Sequence, residues 1–172
     1  MLLAMFHVMT ENYLIEVAGR LGGDSSSVGV ALFLATLAEM PVLIFFDRVR
    51  AYIPICRLLK LSGLSFLLKS VLLLIAPNVT AIYFIQLIQA TSYGFLSPVQ
   101  LYYANSKVDH ADMVKGQAFI TASYTLGCAI GNFTGGQLLD AFHVTVLLVA
   151  GVIMAAAGTL ILRLTAERKN KV

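Results

Sequence analysis

Four candidates for charge or proton coupling lie inside long, mainly apolar stretches of the sequence: Glu39 in a run that is otherwise almost entirely apolar, Lys69 in another, and Glu11 and Glu16 in a first stretch that is unusually polar. A charged group at membrane depth costs roughly 2.5–3.5 kcal/mol on insertion scales, so it usually has a partner or a function. Carboxylates in such surroundings can exchange protons near neutral pH. These four residues therefore predict charge or proton coupling inside a membrane.

The depths of these residues predict which of them meet. With a helix rise of about 1.5 Å per residue, Lys69 and Glu16 fall about 10 Å below the outer edge, and Glu11 and Glu39 about 17–20 Å below it. We therefore predict that Lys69 pairs with Glu16 rather than with Glu39. Two alternatives stay open: Glu16 could pair with Arg20, four residues further on, and Glu39 could have a purely structural role.

Polar side chains in the fourth apolar stretch recur at helical spacing. On a straight helix they would form one narrow stripe through the full depth of a membrane. Lipid tails cannot satisfy amide groups, so the stripe must face protein or a water-filled cavity. We predict cavity lining along a solute path; the alternative is hydrogen bonding between helices. The stripe consists of Gln86, Gln89, Tyr93, Ser97 and Gln100.

The first and fifth apolar stretches add further candidates for a solute path: Asn12, Tyr124 and Asn132. The fifth stretch also repeats a small residue every fourth position, the spacing that lets helix backbones approach closely. We predict that this small-residue face is a packing surface. Its members are Ser123, Gly127, Gly131 and Gly135. Tyr124 and Asn132 lie on a separate polar edge, which serves either packing or solute contact.

The elements that must position these residues are membrane helices. The 172-residue chain is 59% hydrophobic and only 12% charged, whereas soluble domains carry about 25% charged residues. Six apolar stretches approach the roughly 20 residues that a spanning helix needs. The predicted fold class is an all-α membrane protein, one six-span bundle over residues 1–172. The predicted spans are 2–21, 27–46, 57–76, 81–103, 117–139 and 144–164.

Charge and cysteine placement exclude other classes. The net charge is +3, but the basic residues flank apolar runs instead of clustering with aromatics, so nucleic-acid binding is not expected. The two cysteines show no metal-ligand spacing, and no cofactor or metal site is predicted.

The basic residues predict orientation by the positive-inside rule. All Lys and Arg residues except Arg20 and Lys69 lie at those ends of the predicted spans that share one side of the membrane. Both termini are therefore expected on the cytoplasmic side of the cell membrane. The ten residues at those ends are Arg48, Arg50, Arg57, Lys60, Lys107, Lys115, Arg163, Arg168, Lys169 and Lys171.

Motifs in order along the chain resemble the C-terminal half of a major facilitator superfamily transporter. The resemblance is closest to the branch of the lactose/proton symporter. The carrying residues are Ala38-Glu39-Met40-Pro41, Lys69 where relatives often have arginine, the turn Asp47-Arg48-Val49-Arg50, and the run Gly136-Gln137-Leu138-Leu139-Asp140. The turn departs from the family pattern, because Val49 replaces or shifts its glycine.

This resemblance implies a half-bundle whose first and fourth spans line a central cavity that binds solute near the midplane. Two such halves would rock for alternating access. The lactose symporter's His-x-x-Glu pair is matched here by Gln89-Ala90-Thr91-Ser92, which cannot titrate. Proton coupling would then fall to Glu39, Glu11 or Glu16. A complete transporter has twelve spans, so we expect a missing amino-terminal six-span half or a second copy as partner.

The predicted function is half of a secondary transporter that moves a small polar solute, sugar-like or an organic acid, with proton coupling. One alternative is an inactive or scaffolding remnant, and another is half of a drug efflux protein. An enzyme is not expected. Gly63-Leu64-Ser65 fits one part of an intramembrane serine protease. However, His143 and His110 fall in turns outside the predicted spans, and His7 has no evident serine partner.

Overall fold

The structure is a computed structural model that describes residues 1–106, 108–109 and 112–167, with the backbone alone at 165–167. The described part is helical and contains no strand. Its helices are α1 (Leu2–Asn12), α2 (Leu14–Gly19), α3 (Ser25–Ile44), α4 (Phe46–Tyr52), α5 (Ile55–Ile75), α6 (Val79–Gln86), a 3-10 segment (Leu87–Ala90), α7 (Tyr93–Asn105), α8 (Met113–Ala141) and α9 (Val144–Glu167).

Four helical stretches are long and apolar enough to cross a membrane: α3, α5, α6 through α7, and α9. Each begins and ends within a few residues of a predicted span. The helical membrane bundle is therefore confirmed, whereas the count of six spans stays a prediction. The other two predicted spans correspond to α1 with α2, which are individually short, and to α8, whose polar edge lowers its hydropathy.

Two predicted spans are not continuous α-helices, which corrects the assumption of straight helices. The first breaks at Tyr13, whose hydroxyl donates a 2.7 Å hydrogen bond to the Asn132 carbonyl in α8. The fourth breaks between Leu87 and Ser92. There the Ser62 hydroxyl of α5 donates to the Ser92 carbonyl at 2.7 Å, a carbonyl that also accepts the Leu96 amide of α7.

Glycines allow α1 to lie directly on α8. Gly127, Gly131 and Gly135 are buried, and a β-carbon on Gly131 would lie only 2.7 Å from the Met5 carbonyl oxygen. No side chain fits there without moving backbone. The predicted packing role is confirmed for these three glycines, which fix the position of α1 against the bundle, whereas Ser123 of the same face lines a cavity.

The remaining helices close around the same interior. α5 packs along α9, where the Thr159 hydroxyl donates to the Gly63 carbonyl at 2.7 Å. α3 begins at Asp24, whose side chain accepts from the Ser27 amide, and it packs on α6, the 3-10 segment and α7. As a result α1, α3, α5 and the 3-10 segment surround one point.

At the opposite end of α3, a small cluster ties the turn before α4 to the end of α7. The Tyr102 hydroxyl donates to Asp47 at 2.7 Å, and the Arg50 guanidinium lies 4.3 Å from the centre of the Tyr102 ring. Several residues that predicted the orientation lie outside the described residues, so orientation stays a prediction. They are Lys107, Arg168, Lys169 and Lys171, and His110 is also outside.

Candidate functional site

A buried ion pair joins α1 to α5 at the centre of the bundle. Lys69 Nζ donates to Glu11 Oε1 at 2.6 Å and to Gln89 Oε1 of the 3-10 segment at 2.7 Å. The Lys69 side chain is 1% exposed and that of Glu11 is 15% exposed. A buried ammonium group must be paired and hydrogen-bonded. Lys69 therefore holds three separate elements together through two charge-assisted hydrogen bonds.

The second oxygen of Glu11 faces α6. Gln86 Nε2 donates to Glu11 Oε2 over a long 3.4 Å. Gln86 is fully buried, and its own carbonyl Oε1 has no hydrogen-bond partner. An unpaired buried carbonyl costs about 1–3 kcal/mol. The Gln86 carbonyl oxygen can therefore still accept a hydrogen bond.

The predicted pairing of Lys69 with Glu16 is wrong. Glu16 is exposed and lies on the far side of the helix break at Tyr13. There it lines a cavity of about 420 Å³ together with Asp140 and His143. Depth counting along one straight helix could not allow for that break, and the true partner of Lys69 is Glu11, more than a helical turn away from Glu16.

The alternative pair of Glu16 with Arg20 is not formed either. The Arg20 guanidinium instead donates to the carbonyls of Leu73 at 2.6 Å and Leu74 at 3.2 Å. These carbonyls lie in the last turn of α5, where the helix leaves such groups unpaired. Arg20 therefore caps α5 and takes no part in the ion pair.

Glu39 of α3 faces the same centre but forms no ion pair with Lys69. A β-carbon on Gly94 of α7 would lie 3.4 Å from Glu39 Cγ. Glu39 is half-buried, and its carboxylate interacts electrostatically with Glu11 and Lys69 and lies beside Gln89. The prediction that Lys69 does not bridge Glu39 agrees with the geometry. A second carboxylate thus stands close to a pair that is already neutral.

An aromatic row extends from the ion pair towards α8. The His7 ring stacks on Tyr93 with centres 4.4 Å apart and meets Phe66 edge-on at 6.1 Å. Tyr93 in turn lies 6.1 Å from Tyr124. Sequence reasoning placed the two tyrosines on a solute path but omitted His7. Its position one turn before Glu11 in α1 was the available signal.

The other predicted path residues are divided between two places. Asn12 and Asn132 hydrogen-bond to each other at 2.7 Å, which links α1 to the polar edge of α8. Gln100 and Tyr124 line a cavity of about 530 Å³ whose walls are mostly apolar. Ser97 is half-buried. The predicted stripe is therefore split: Gln86 and Gln89 lie at the ion pair, Tyr93 lies beside it against His7, and Ser97 and Gln100 lie further along α7.

Within the described ranges, no three His, Cys, Asp or Glu side chains lie close enough together to hold a metal ion.

Comparison with known proteins identifies the family of this chain. The model of the MFS_1 like family matches residues 1–150. The chain belongs to this family of major facilitator proteins. The family assignment covers α1 through α8 and the beginning of α9, and so includes every residue of the charge centre.

Two curated bacterial proteins are similar to this chain. "Uncharacterized transporter YwbF" of Bacillus subtilis (strain 168) is 25% identical over 159 residues, covering 87% of this chain and 38% of the relative. "Maltose permease" of Geobacillus stearothermophilus is 26% identical over 151 residues, again covering 87% of the chain and 38% of the relative. The chain thus spans little more than a third of the relatives' length. No solved structure matches it significantly.

Proposed function

We propose that this chain is the C-terminal half of a proton-coupled secondary transporter for a small, hydroxyl-rich or acidic solute, working by alternating access. The observation that carries this proposal is the buried Lys69–Glu11 pair with Glu39 beside it. Intramembrane ionisable residues mark ion and substrate pathways. The similarity to a maltose permease favours a sugar-like solute.

Coupling in this proposal depends on the competition of two carboxylates for one lysine. Glu11 holds Lys69 directly, while Glu39 is half-buried and interacts with Lys69 only at longer range. Two carboxylates in one low-dielectric site do not both ionise readily. Glu39 is therefore the group proposed to bind the transported proton. The proposed location of the chain is the cell membrane, with both termini on the cytoplasmic side.

The solute path in this proposal follows polar groups beside the centre: the exposed Asn12 and the half-buried Tyr93, Tyr124 and Asn132. They would face either an amino-terminal six-span half or a second copy of this chain. Hydroxyl-rich solutes suit such a wall, because amide and phenol groups donate and accept hydrogen bonds without carrying charge.

A second candidate rests on the cavity of about 530 Å³. Its walls include Leu3, Leu96 and Leu162, and only a few polar groups interrupt them. Ligand pockets of this size and composition suit apolar molecules. This cavity favours transport of an amphiphilic or drug-like solute, as in the efflux alternative.

The test is uptake into proteoliposomes with an inward proton gradient. The chain is reconstituted alone, and also joined behind the amino-terminal half of the maltose permease. Radiolabelled maltose probes the sugar proposal and ethidium probes the efflux candidate. We expect the gradient to drive maltose accumulation. Glu39→Gln should reduce that accumulation about 5- to 150-fold, which is the fold-change that typical coupling free energies correspond to.

Glu16→Gln provides the matched control, because it removes an exposed carboxylate of α2 that lies away from Lys69. It should leave accumulation unchanged. Full accumulation with unaltered pH dependence in Glu39→Gln would exclude Glu39 from coupling. Failure of both assemblies to move maltose and ethidium would favour the inactive or scaffolding remnant.

A further inference from the structure

His7 stands in the charge centre with a ring nitrogen that the protein leaves unused. Its Nδ1 is buried and has no hydrogen-bond partner. The ring cannot simply turn away, because Tyr93 stacks on one face at 4.4 Å and Phe66 meets its edge at 6.1 Å. A buried polar atom in a fixed position without a partner requires an explanation.

The nearest carboxylate on the same helix is that of Glu11. Residues four apart on a helix are neighbours, with β-carbons about 5–6 Å apart, and a cation pairs favourably with a carboxylate at this spacing. Glu11 interacts electrostatically with both His7 and Lys69. In this structure Lys69 holds Glu11, at 2.6 Å. One carboxylate therefore lies between an amine from α5 and an imidazole from its own helix.

We infer that His7 is a second coupling residue, which binds a proton and then takes Glu11 from Lys69. The inference rests on the proposed function, since it adds a residue to the same proton-coupled site. The step forms one N–H bond on the imidazole and breaks one O–H bond of a hydronium ion at one membrane face, which is left as water. The imidazolium pairs with Glu11, Lys69 keeps only Gln89, and the cluster gains one positive charge. Release of the proton to the other face reverses each change.

The groups around His7 are consistent with this exchange. From α1 it faces Glu11, from α5 Lys69 and the apolar Phe66, and from α7 Tyr93. Behind Tyr93 stands Tyr124 of α8. Glu11 is the only one of these groups that carries negative charge at neutral pH, so a proton on His7 has a single partner to attract.

The test separates coupling from solute movement. Two assays are run on the maltose-transporting assembly: accumulation driven by an inward proton gradient, and counterflow of labelled maltose at equal pH on both sides. His7→Phe keeps an aromatic ring on Tyr93 but cannot bind a proton. We expect it to lower gradient-driven accumulation about 5- to 150-fold, with counterflow within about twofold of the unaltered chain.

His143→Gln is the matched control, because it removes an exposed histidine at the start of α9, away from the charge centre. It should leave both assays unchanged. Equal loss of accumulation and counterflow in His7→Phe would show a structural role and overturn the inference. Full accumulation in His7→Phe would also overturn it. An unaltered assembly that shows neither activity with maltose would refute the proposed function itself, and the inference with it.

Discussion

Replacing Lys69 by methionine should destabilise the folded chain by about 3–5 kcal/mol, because Glu11 would keep a buried charge without its partner. The structural basis is the 2.6 Å contact of Lys69 Nζ with Glu11 Oε1, whose side chains are 1% and 15% exposed, respectively. Because each single substitution leaves a buried charge unpaired, Lys69→Met combined with Glu11→Gln should cost less than the sum of the two single losses. The expected interaction energy is about 1–3 kcal/mol, within the range for residues in direct contact.

The assay is reversible unfolding by SDS in mixed micelles, followed by far-ultraviolet circular dichroism, for all four members of the cycle. Lys115→Met is the matched control. Lys115 also lies 2.7 Å from a carboxylate, that of Asp112, but the two side chains are 83% and 48% exposed. Such a surface pair contributes roughly 0–1 kcal/mol. Additive effects of the Lys69 and Glu11 substitutions, or an equal loss in Lys115→Met, would refute the reasoning.

Two further predictions concern stability. Gly131→Ala should destabilise the bundle by about 1–3 kcal/mol, because its β-carbon would lie 2.7 Å from the Met5 carbonyl oxygen. Gly19→Ala should not destabilise the bundle, because the space around Gly19 is open. Equal SDS unfolding midpoints for the two variants would contradict the close packing of Gly131 on Met5. Hydrogen bonds from Ser27 hold the pKa of Asp24 below its ordinary value. The stability this adds is present above the unfolded-state pKa and is lost as pH falls through the lower folded-state pKa. Melting curves of Asp24→Asn should lack that acid-dependent loss, and a curve matching the unaltered chain would exclude Asp24 as its source.

Hydropathy was enough to locate most of the helices. The apolar runs predicted at 27–46, 57–76 and 144–164 became α3, α5 and α9 with shifts of only a few residues. The four-residue repeat of glycine in α8 also predicted its packing face. These features depend on local composition and on a fixed helical period, both of which can be read directly from the chain.

The partner of Lys69 could not be predicted in the same way. It depends on where α1 is interrupted, and that interruption is stabilised by a hydrogen bond between Tyr13 and a residue 119 positions later in the chain. At the break in the fourth span, Ser62 of a different helix likewise donates a hydrogen bond to the backbone. Contacts of this kind appear only once the helices are packed, so depth counting along isolated spans assigned Lys69 to the wrong carboxylate.

The interruption at Tyr13 also divides the first span into two short helices with different neighbours. α1, which carries His7 and Glu11, is packed against α8 and α9, whereas α2 touches α3. We predict that a tilt of α3 displaces α2 further than α1, because α1 is held on the glycine face of α8. Distance labels placed on α1 and on α2 would then report two different motions within what hydropathy reads as a single span.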